Sequence, residues 1–345
     1  MDSTSTKREL LGAVMQAVVI EAPTVVRMSD LPEPRPAIAE VVVDVSLTGV
    51  CGTDLHMLDG DFATARFPIV PGHEVTGTVV ATGAEVTSPQ PGDRVVVDPG
   101  VPCLTCLLCR RGRPNLCEHR NAVGITLNGG AADRVVVPAR NCHVLPDSVT
   151  FSAAVLAEPL ACVLHAFEMV PRTAGRRVLI YGAGTIGLLA VQVARHLGAY
   201  TVDAVDLDTQ RLSVAEKLGA DEVFAPDSLS RQDDWDLVVD ASGAPAAIAD
   251  GLARLQRGGT FLQLGVAPGD AVVPLSPYQV FARELSIIGS MTTRHTFPGA
   301  LRMLENDMID AESIVEKPVP LSDYAKAVDM VRERDSLKVV VSPGV

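Results

Sequence analysis

The sequence predicts an α/β protein of two domains, one an all-β barrel or sandwich and the other a doubly wound parallel sheet. Three observations predict it. At 345 residues the chain exceeds what one hydrophobic core comfortably organises. Residues 15 to 150 are short β-forming runs cut by Gly and Pro. From residue 176 onward, near-continuous Val/Ile/Leu runs alternate with helical patterns, as expected of a parallel sheet covered on both faces.

Taken in order, "QAVVIEAP", "EVVVDVSL", "EVTGTVVATG", "DRVVVDPG" and "DRVVVPARN" are the β runs of the first half. "SAAVLAEPLACVLHAFEMV" (152–170) is a long apolar helix. "RRVLIYGAG" then reads as a buried strand, followed by the helix "TIGLLAVQVARHLGA". "YTVDAVDLD", "DEVFAP", "WDLVVDASGA", "GGTFLQLGV" and "LSIIGSM" are further strands, with helices "TQRLSVAEKLGA" and "PAAIADGLARLQR" among them. The tail carries two amphipathic helices and a last strand, "KVVVSP", whose β character matches the first half. The expected boundaries are therefore a flexible extension 1–14, a β domain from 15–158 and 296–345, and a parallel-sheet domain 159–295.

The net charge of −13 disfavours phosphate backbones and anionic membranes, so no nucleic-acid or membrane partner is expected. No apolar run approaches a membrane span of about 18 residues, and the N-terminus lacks a signal-peptide core. A cytoplasmic protein with a small-molecule ligand is the simplest reading. Its seven cysteines are then thiolates and metal ligands before they are disulfides.

"VLIYGAGTIG" places Gly182, Gly184 and Gly187 as G-x-G-x-x-G between a strand and a helix. The first Gly permits the tight turn, the second lets pyrophosphate approach the backbone, and the third allows close helix–strand packing. Thr185 and Ile186 open the helix whose N-terminus faces the phosphates. Asp206 ends the next strand, where an acid bonds the ribose hydroxyls of NAD and repels the 2′-phosphate of NADP. Arg211 either closes over the adenine or is a solvated helix residue. Leu264, Gly265 and Val266, ending "GGTFLQLGV", complete the expected cofactor contacts.

"PCLTCLLCRRGRPNLC" sets Cys103, Cys106, Cys109 and Cys117 at C-x2-C-x2-C-x7-C. Gaps of two let thiolates converge, and four of them make a closed structural zinc site. Iron–sulfur ligation is the rival reading, without a redox role elsewhere in the chain to support it. Cys51, His73, Glu74 and Glu158 remain as ligand candidates from separate segments, each beside Gly or Pro or after an apolar run.

With "GVCGTDLH", "PGHEVTGTVVATG", "GDRV", the four-cysteine loop, "GAGTIG" and "VVDASG", the chain from about residue 15 onward resembles the zinc-dependent medium-chain dehydrogenase/reductase superfamily. Its likeness is greatest to the sorbitol/polyol dehydrogenase branch, which pairs "GHE" with a later "EPL". The resemblance implies a GroES-like β-barrel catalytic domain from both chain ends and a Rossmann domain between them. It implies catalytic zinc ligands Cys51, His73 and Glu74, with Glu158 binding directly or through a water. Thr53 and His56 match the relay that removes the alcohol proton, and Asp54 an acid that orients a ligand. The implied activity is reversible oxidation of a secondary alcohol, a polyol, cyclitol or aminocyclitol, with NAD and two Zn²⁺ per chain. A threonine-type amino alcohol, a short secondary alcohol, and a non-catalytic NAD-binding structural or sensing role are the alternatives. Family likeness also implies a homodimer or homotetramer.

Two departures mark the substrate pocket. Met57 stands where the branch has an aromatic, and Thr292 and Thr293 replace its Arg-Tyr. Cys142 and Cys162 read as packing residues.

Overall fold

Valines at alternate positions of "EVVVDVSLTG" demand a strand with a buried face, and Val41, Val43 and Val45 share one core with Val75, Val79, Val95, Val97, Val135 and Val137. The computed structural model describes residues 13–62, 64–229, 235–334 and 336–344. Of the expected extension 1–14, residues 1–12 lie outside the described residues, and Val14 already opens the first strand. Among the described residues the chain forms two compact units, one up to Glu158 and again from Val315, the other Pro159–Ile314.

In the first unit the strands are β1 (Val14–Ala22), β2 (Val25–Pro32), β3 (Glu40–Gly49), β4 (Glu74–Thr82), β5 (Arg94–Val97), β6 (Gly100–Val101), β7 (Asn121–Ala122), β8 (Arg134–Pro138) and β9 (Cys142–Val144). The second unit holds β10 (Arg177–Tyr181), β11 (Thr201–Val205), β12 (Glu222–Phe224), β13 (Trp235–Asp240), β14 (Leu255–Gln263) and β15 (Ser286–Gly289). The chain then returns with β16 (Val319–Pro320) and β17 (Val340–Ser342).

The large sheet of the first unit runs β16-β17-β3-β4-β5-β9, with β8 also on β3. Glu74 of β4 and Val340 of β17 both pair with Gly49, the last residue of β3, so three segments meet at one point. The helix Gly52–Asp59 follows immediately. Met57 and Leu58 bury its inner face in a core shared with Ile20, Tyr324, Ala327, Val328 and Val341.

The sheet of the second unit is parallel throughout, in the order β12-β11-β10-β13-β14-β15. Strand order reverses between β10 and β13, and in such sheets the ligand site lies beyond the carboxyl ends at that reversal. The helix Thr185–His196 buries Leu188, Leu189, Val191 and Val193.

The second unit extends past the expected return at residue 296. Thr296 Oγ1 donates to Ala161 O at 2.7 Å, and Asp310 N donates to Gln192 Oε1 at 2.7 Å. The helix Phe297–Glu305 buries Phe297, Ala300, Leu301 and Leu304, so the return to the first unit begins at Val315. The long helix expected over 152–170 is two helices, Phe151–Ala154 and Ala157–Glu168. Pro159 sits in the first turn of the second, where a missing N–H costs nothing. Three helices escaped the sequence reading, Gly52–Asp59, Leu107–Arg110 and Pro277–Arg283. No helix among the described residues is long and apolar enough to cross a membrane.

Candidate metal centre and dinucleotide site

Cys51 occupies the N-terminal boundary of the helix Gly52–Asp59, because Asp54, three positions on, reaches back to accept its N–H at 2.8 Å. That bond fixes the thiol as β3 ends. His73 precedes β4 and Glu74 begins it, so the sheet presents both beside Cys51. The ligand atoms of Cys51, His73 and Glu74 all lie within 4.8 Å of one another. Glu158 is buried, and its charge acts on both His73 and Lys338, but it is not one of this close trio.

Electrostatics mark this as a place for a cation. Burial alone would strip the proton from His73; the bond to Cys51 and the charges of Cys51, Asp54 and Glu158 outweigh it and hold the imidazole up to about 10. His73 Nδ1 and Asp54 Oδ1 are buried with no hydrogen-bond partner among the described residues. Burial pushes the Asp54 carboxyl above its usual range, against the pull of His73 and the Cys51 amide. A thiol, an imidazole and carboxylates form the N/S/O donor set that zinc takes in catalytic sites, and the residues fit it.

Thr53 and His56 lie on one face of the helix, a turn apart, and both are half-buried. The Cys51 thiol donates to Thr53 Oγ1 at 3.9 Å. Met57 is fully buried, in a core shared with Ile20, Tyr324 and Val341.

Two residues of this centre were missed. Lys338 Nζ donates to both oxygens of Glu74, at 2.6 and 2.5 Å, with the two side chains 4% and 1% exposed. Burial pulls its ammonium down, but Glu74, Cys51 and Glu158 outweigh this and hold it above the ordinary lysine value. The only signal was a lone charge opening the apolar "KVVV". Tyr324, on the helix Tyr324–Arg332, is buried in the same core with an unpartnered hydroxyl. Burial and the charges of Asp54 and Cys51 push its phenol well above the usual value.

The four-cysteine loop closes as its spacing requires. The thiols of Cys103, Cys106, Cys109 and Cys117 all lie within 4.8 Å of one another. Cys103 Sγ accepts from Thr105 N, Cys106 N and the Thr105 hydroxyl, and Cys117 Sγ accepts from Cys103 N and His119 N. The Thr105 donors, with Cys106 N, bring Cys103 down to about 5. Partial desolvation and the neighbouring thiols push Cys109 up to about 12. Amide N–H groups aimed at sulfur stabilise thiolates, and a dication would let all four ionise together.

In the second unit the glycines behave as their spacing implies. Gly182 has φ +94°, in the left-handed region, and a Cβ on Gly187 would fall 1.7 Å from Gly182 O. Gly184 has open space where its Cβ would be, except for Arg211 Nη1 at 3.6 Å. Arg211 therefore lies over the glycine turn and is not a solvated helix residue. Thr185 and Ile186 form the first turn of a helix whose boundary residue, Gly184, makes no side-chain cap, and a helix N-terminus of this kind favours phosphate oxygens. Asp206 accepts from Ala183 N at 2.6 Å and Asp208 N at 2.9 Å. Leu264 N and Gly265 N both donate to Asp240 O, and Val266 O would be 2.2 Å from a Cβ on Gly243. The missed organiser is Asp240, whose buried carboxylate accepts from Ser242 Oγ, Gly243 N and Gln263 Nε2. Nearby in sequence, Thr292 and His295 have positive φ and flank the buried Thr293.

Residues 37–147 match the alcohol dehydrogenase GroES-like domain, and residues 185–306 match the zinc-binding dehydrogenase domain. The chain is similar to D-arabinitol dehydrogenase 1 of Uromyces fabae, 35% identical over 97% of this chain and 99% of that protein. It is 38% identical to D-altritol 5-dehydrogenase of Agrobacterium fabrum, over 89% and 90% of the two chains. Among solved structures, a zinc-binding dehydrogenase of Sinorhizobium meliloti bound to NADP superimposes with a TM-score of 0.93 at 30% identity, covering 96% of this chain and all of that one.

Proposed function

The chain belongs to the zinc-binding alcohol dehydrogenases, and from that premise we propose that it oxidises a secondary alcohol of the polyol class to a ketone, reversibly, with NAD. The observation that carries this reading is the convergence of Cys51, His73 and Glu74 beside Thr53 and His56. The arabinitol and altritol specificities of the two relatives support a polyol substrate.

Cys51, His73 and Glu74, with Glu158 directly or through a water, would hold a catalytic zinc, and the four-cysteine loop would hold a second, structural zinc. When bound, zinc supplies Lewis acidity at an alcohol oxygen while the nicotinamide supplies a hydride acceptor. Thr53 Oγ1 takes the alcohol proton, and His56, one turn along the same helix, passes it toward solvent. Asp54 holds Cys51 by its N–H and faces His73 with its charge, so both donors keep their orientation.

NAD is favoured over NADP because the carboxylate of Asp206 is fixed at the turn beside the glycines, where a 2′-phosphate would be repelled. Gly182, Gly184 and Gly187 give the pyrophosphate its approach, the N-termini of Thr185 and Ile186 meet its charge, and Arg211 and the 264–266 segment border the cofactor. The exposed Ile287 on the edge strand β15, with Tyr278 and Phe281 nearby in sequence, supports a homo-oligomer paired through that edge. The seven free thiols suit the reducing cytoplasm.

The deciding experiment combines metal analysis with an NAD-coupled screen over linear polyols, cyclitols, aminocyclitols and short secondary alcohols. Two zincs per chain, falling to one in Cys51→Ser with NAD reduction down by ~10³-fold or more, is the expected result. One zinc in the wild type, or inactivity across all four alcohol groups, rejects it.

A further inference from the structure

The helix Gly52–Asp59 buries three residues on one face, Asp54, Met57 and Leu58, and the first of them is an acid. One Asp54 oxygen accepts the Cys51 N–H at 2.8 Å; the other, Oδ1, is buried without a hydrogen-bond partner among the described residues. Met57 and Leu58 share a core with Tyr324, which opens the helix Tyr324–Arg332. Tyr324 is only 2% exposed, and its hydroxyl is likewise buried without a partner among the described residues. The charges of Asp54 and Cys51 both act on that phenol. At the far end of the two helices Arg332 grips Asp59 through two nitrogens, at 3.1 and 2.6 Å, and fixes one helix against the other.

We propose that Tyr324 is a positioning residue: one buried water accepts its O–H and donates to Asp54 Oδ1, holding the carboxylate at the angle from which it serves His73. This rests on the zinc reading of the Cys51 centre. A buried donor and a buried acceptor, each lacking a protein partner, are what an enclosed water satisfies. A phenylalanine would fill the same core volume without burying an unpaired hydroxyl. The tyrosine oxygen therefore has a use that packing does not supply. The Cys51 N–H holds only one oxygen of Asp54, which leaves the carboxylate free to turn about that bond. Fixing the second oxygen removes this freedom, and with it the play of the His73 ring whose charge the carboxylate faces. Tyr324 thus carries an effect on the metal centre from a segment near the other end of the chain.

The test measures zinc transfer from the full-length protein to a chromogenic chelator, the phase absent from Cys51→Ser belonging to this centre. Tyr324→Phe removes one oxygen and keeps the ring. It is expected to lower zinc affinity at the Cys51 centre by ~10-fold or more. In the Cys51→Ser background, which lacks this zinc, the same change should leave the melting temperature equal or higher. Asp54→Asn already weakens the hold on His73, so adding Tyr324→Phe to it should change affinity by less than about twofold. Unchanged zinc affinity in Tyr324→Phe overturns the proposal. So does a lower melting temperature in the zinc-free background, which makes the hydroxyl a structural group. A further ~10-fold loss on top of Asp54→Asn overturns it as well, because Tyr324 then acts by another route. If Asp54→Asn does not fold, the single variant decides alone. A wild-type protein with no Cys51-dependent phase rejects the metal site itself, a separate outcome.

Discussion

Asp206 accepts the backbone N–H of Ala183 at 2.6 Å, so the acid ending one strand is tied to the glycine turn ending its neighbour. On the proposed reading, that carboxylate would meet the adenosine ribose of a bound nucleotide. Asp206→Asn keeps an acceptor for Ala183 and removes the charge. The ratio of kcat/KM for NAD over NADP is expected to fall by ~10-fold or more, chiefly through a gain with NADP. An unchanged ratio in steady-state kinetics with both cofactors would show that Asp206 serves only the turn.

The four-cysteine centre should matter to stability before chemistry. Cys103→Ser removes the thiolate that Thr105 and Cys106 N–H groups support. A loss of one zinc and a Tm lower by on the order of 10 °C are expected. Turnover per folded molecule, measured well below the transition, should stay within about threefold of wild type, a modest barrier change.

Gly49 separates two kinds of glycine in "GVCG". Gly49→Ala drives a methyl into the Glu74 carboxylate, whereas nothing lies within 4 Å of a Cβ on Gly52. The first substitution is expected to cost about 1–3 kcal/mol in denaturant unfolding. Gly52→Ala should stay within ~0.5 kcal/mol of wild type. Equal effects would mean that the three-strand junction yields more than its register implies.

Asp221 pairs with Arg195 and accepts Val202 N at 2.8 Å. Burial alone would raise its carboxyl, but these partners outweigh it and hold the group below its usual value. A depressed carboxylate contributes stability that is present above the unfolded value of about 3.9 and is lost as pH falls through the folded one. Wild type should therefore exceed Asp221→Asn by under ~1 kcal/mol at neutral pH, both side chains being about a third exposed. Chemical denaturation across the acid range should show the gap closing below about pH 4.

Much of the site was legible because metal and phosphate chemistry use few residue types at short spacings. The cysteines at 103, 106, 109 and 117 are close in sequence, so convergence follows from chain geometry. Gly182 and Gly187 declare themselves by what a side chain would strike. Lys338 left no such mark, for its partner is 264 residues away and a lysine before "VVV" reads as a strand boundary. Sequence adjacency also hides which way a side chain faces: His56 is half-buried, while its neighbour Met57 is fully buried in the core.

By itself the sequence determined the two kinds of sheet, the thiolate cluster and the dinucleotide turn, since each is set by local periodicity or by contacts within one strand–turn–helix. Only the tertiary structure decided that the second unit runs on to Ile314, that Arg211 lies over Gly184, and that Glu74 is shared with Lys338. Those facts depend on strand register and on burial across distant segments, where a buried charge must find its counter-charge wherever the fold brings one within reach.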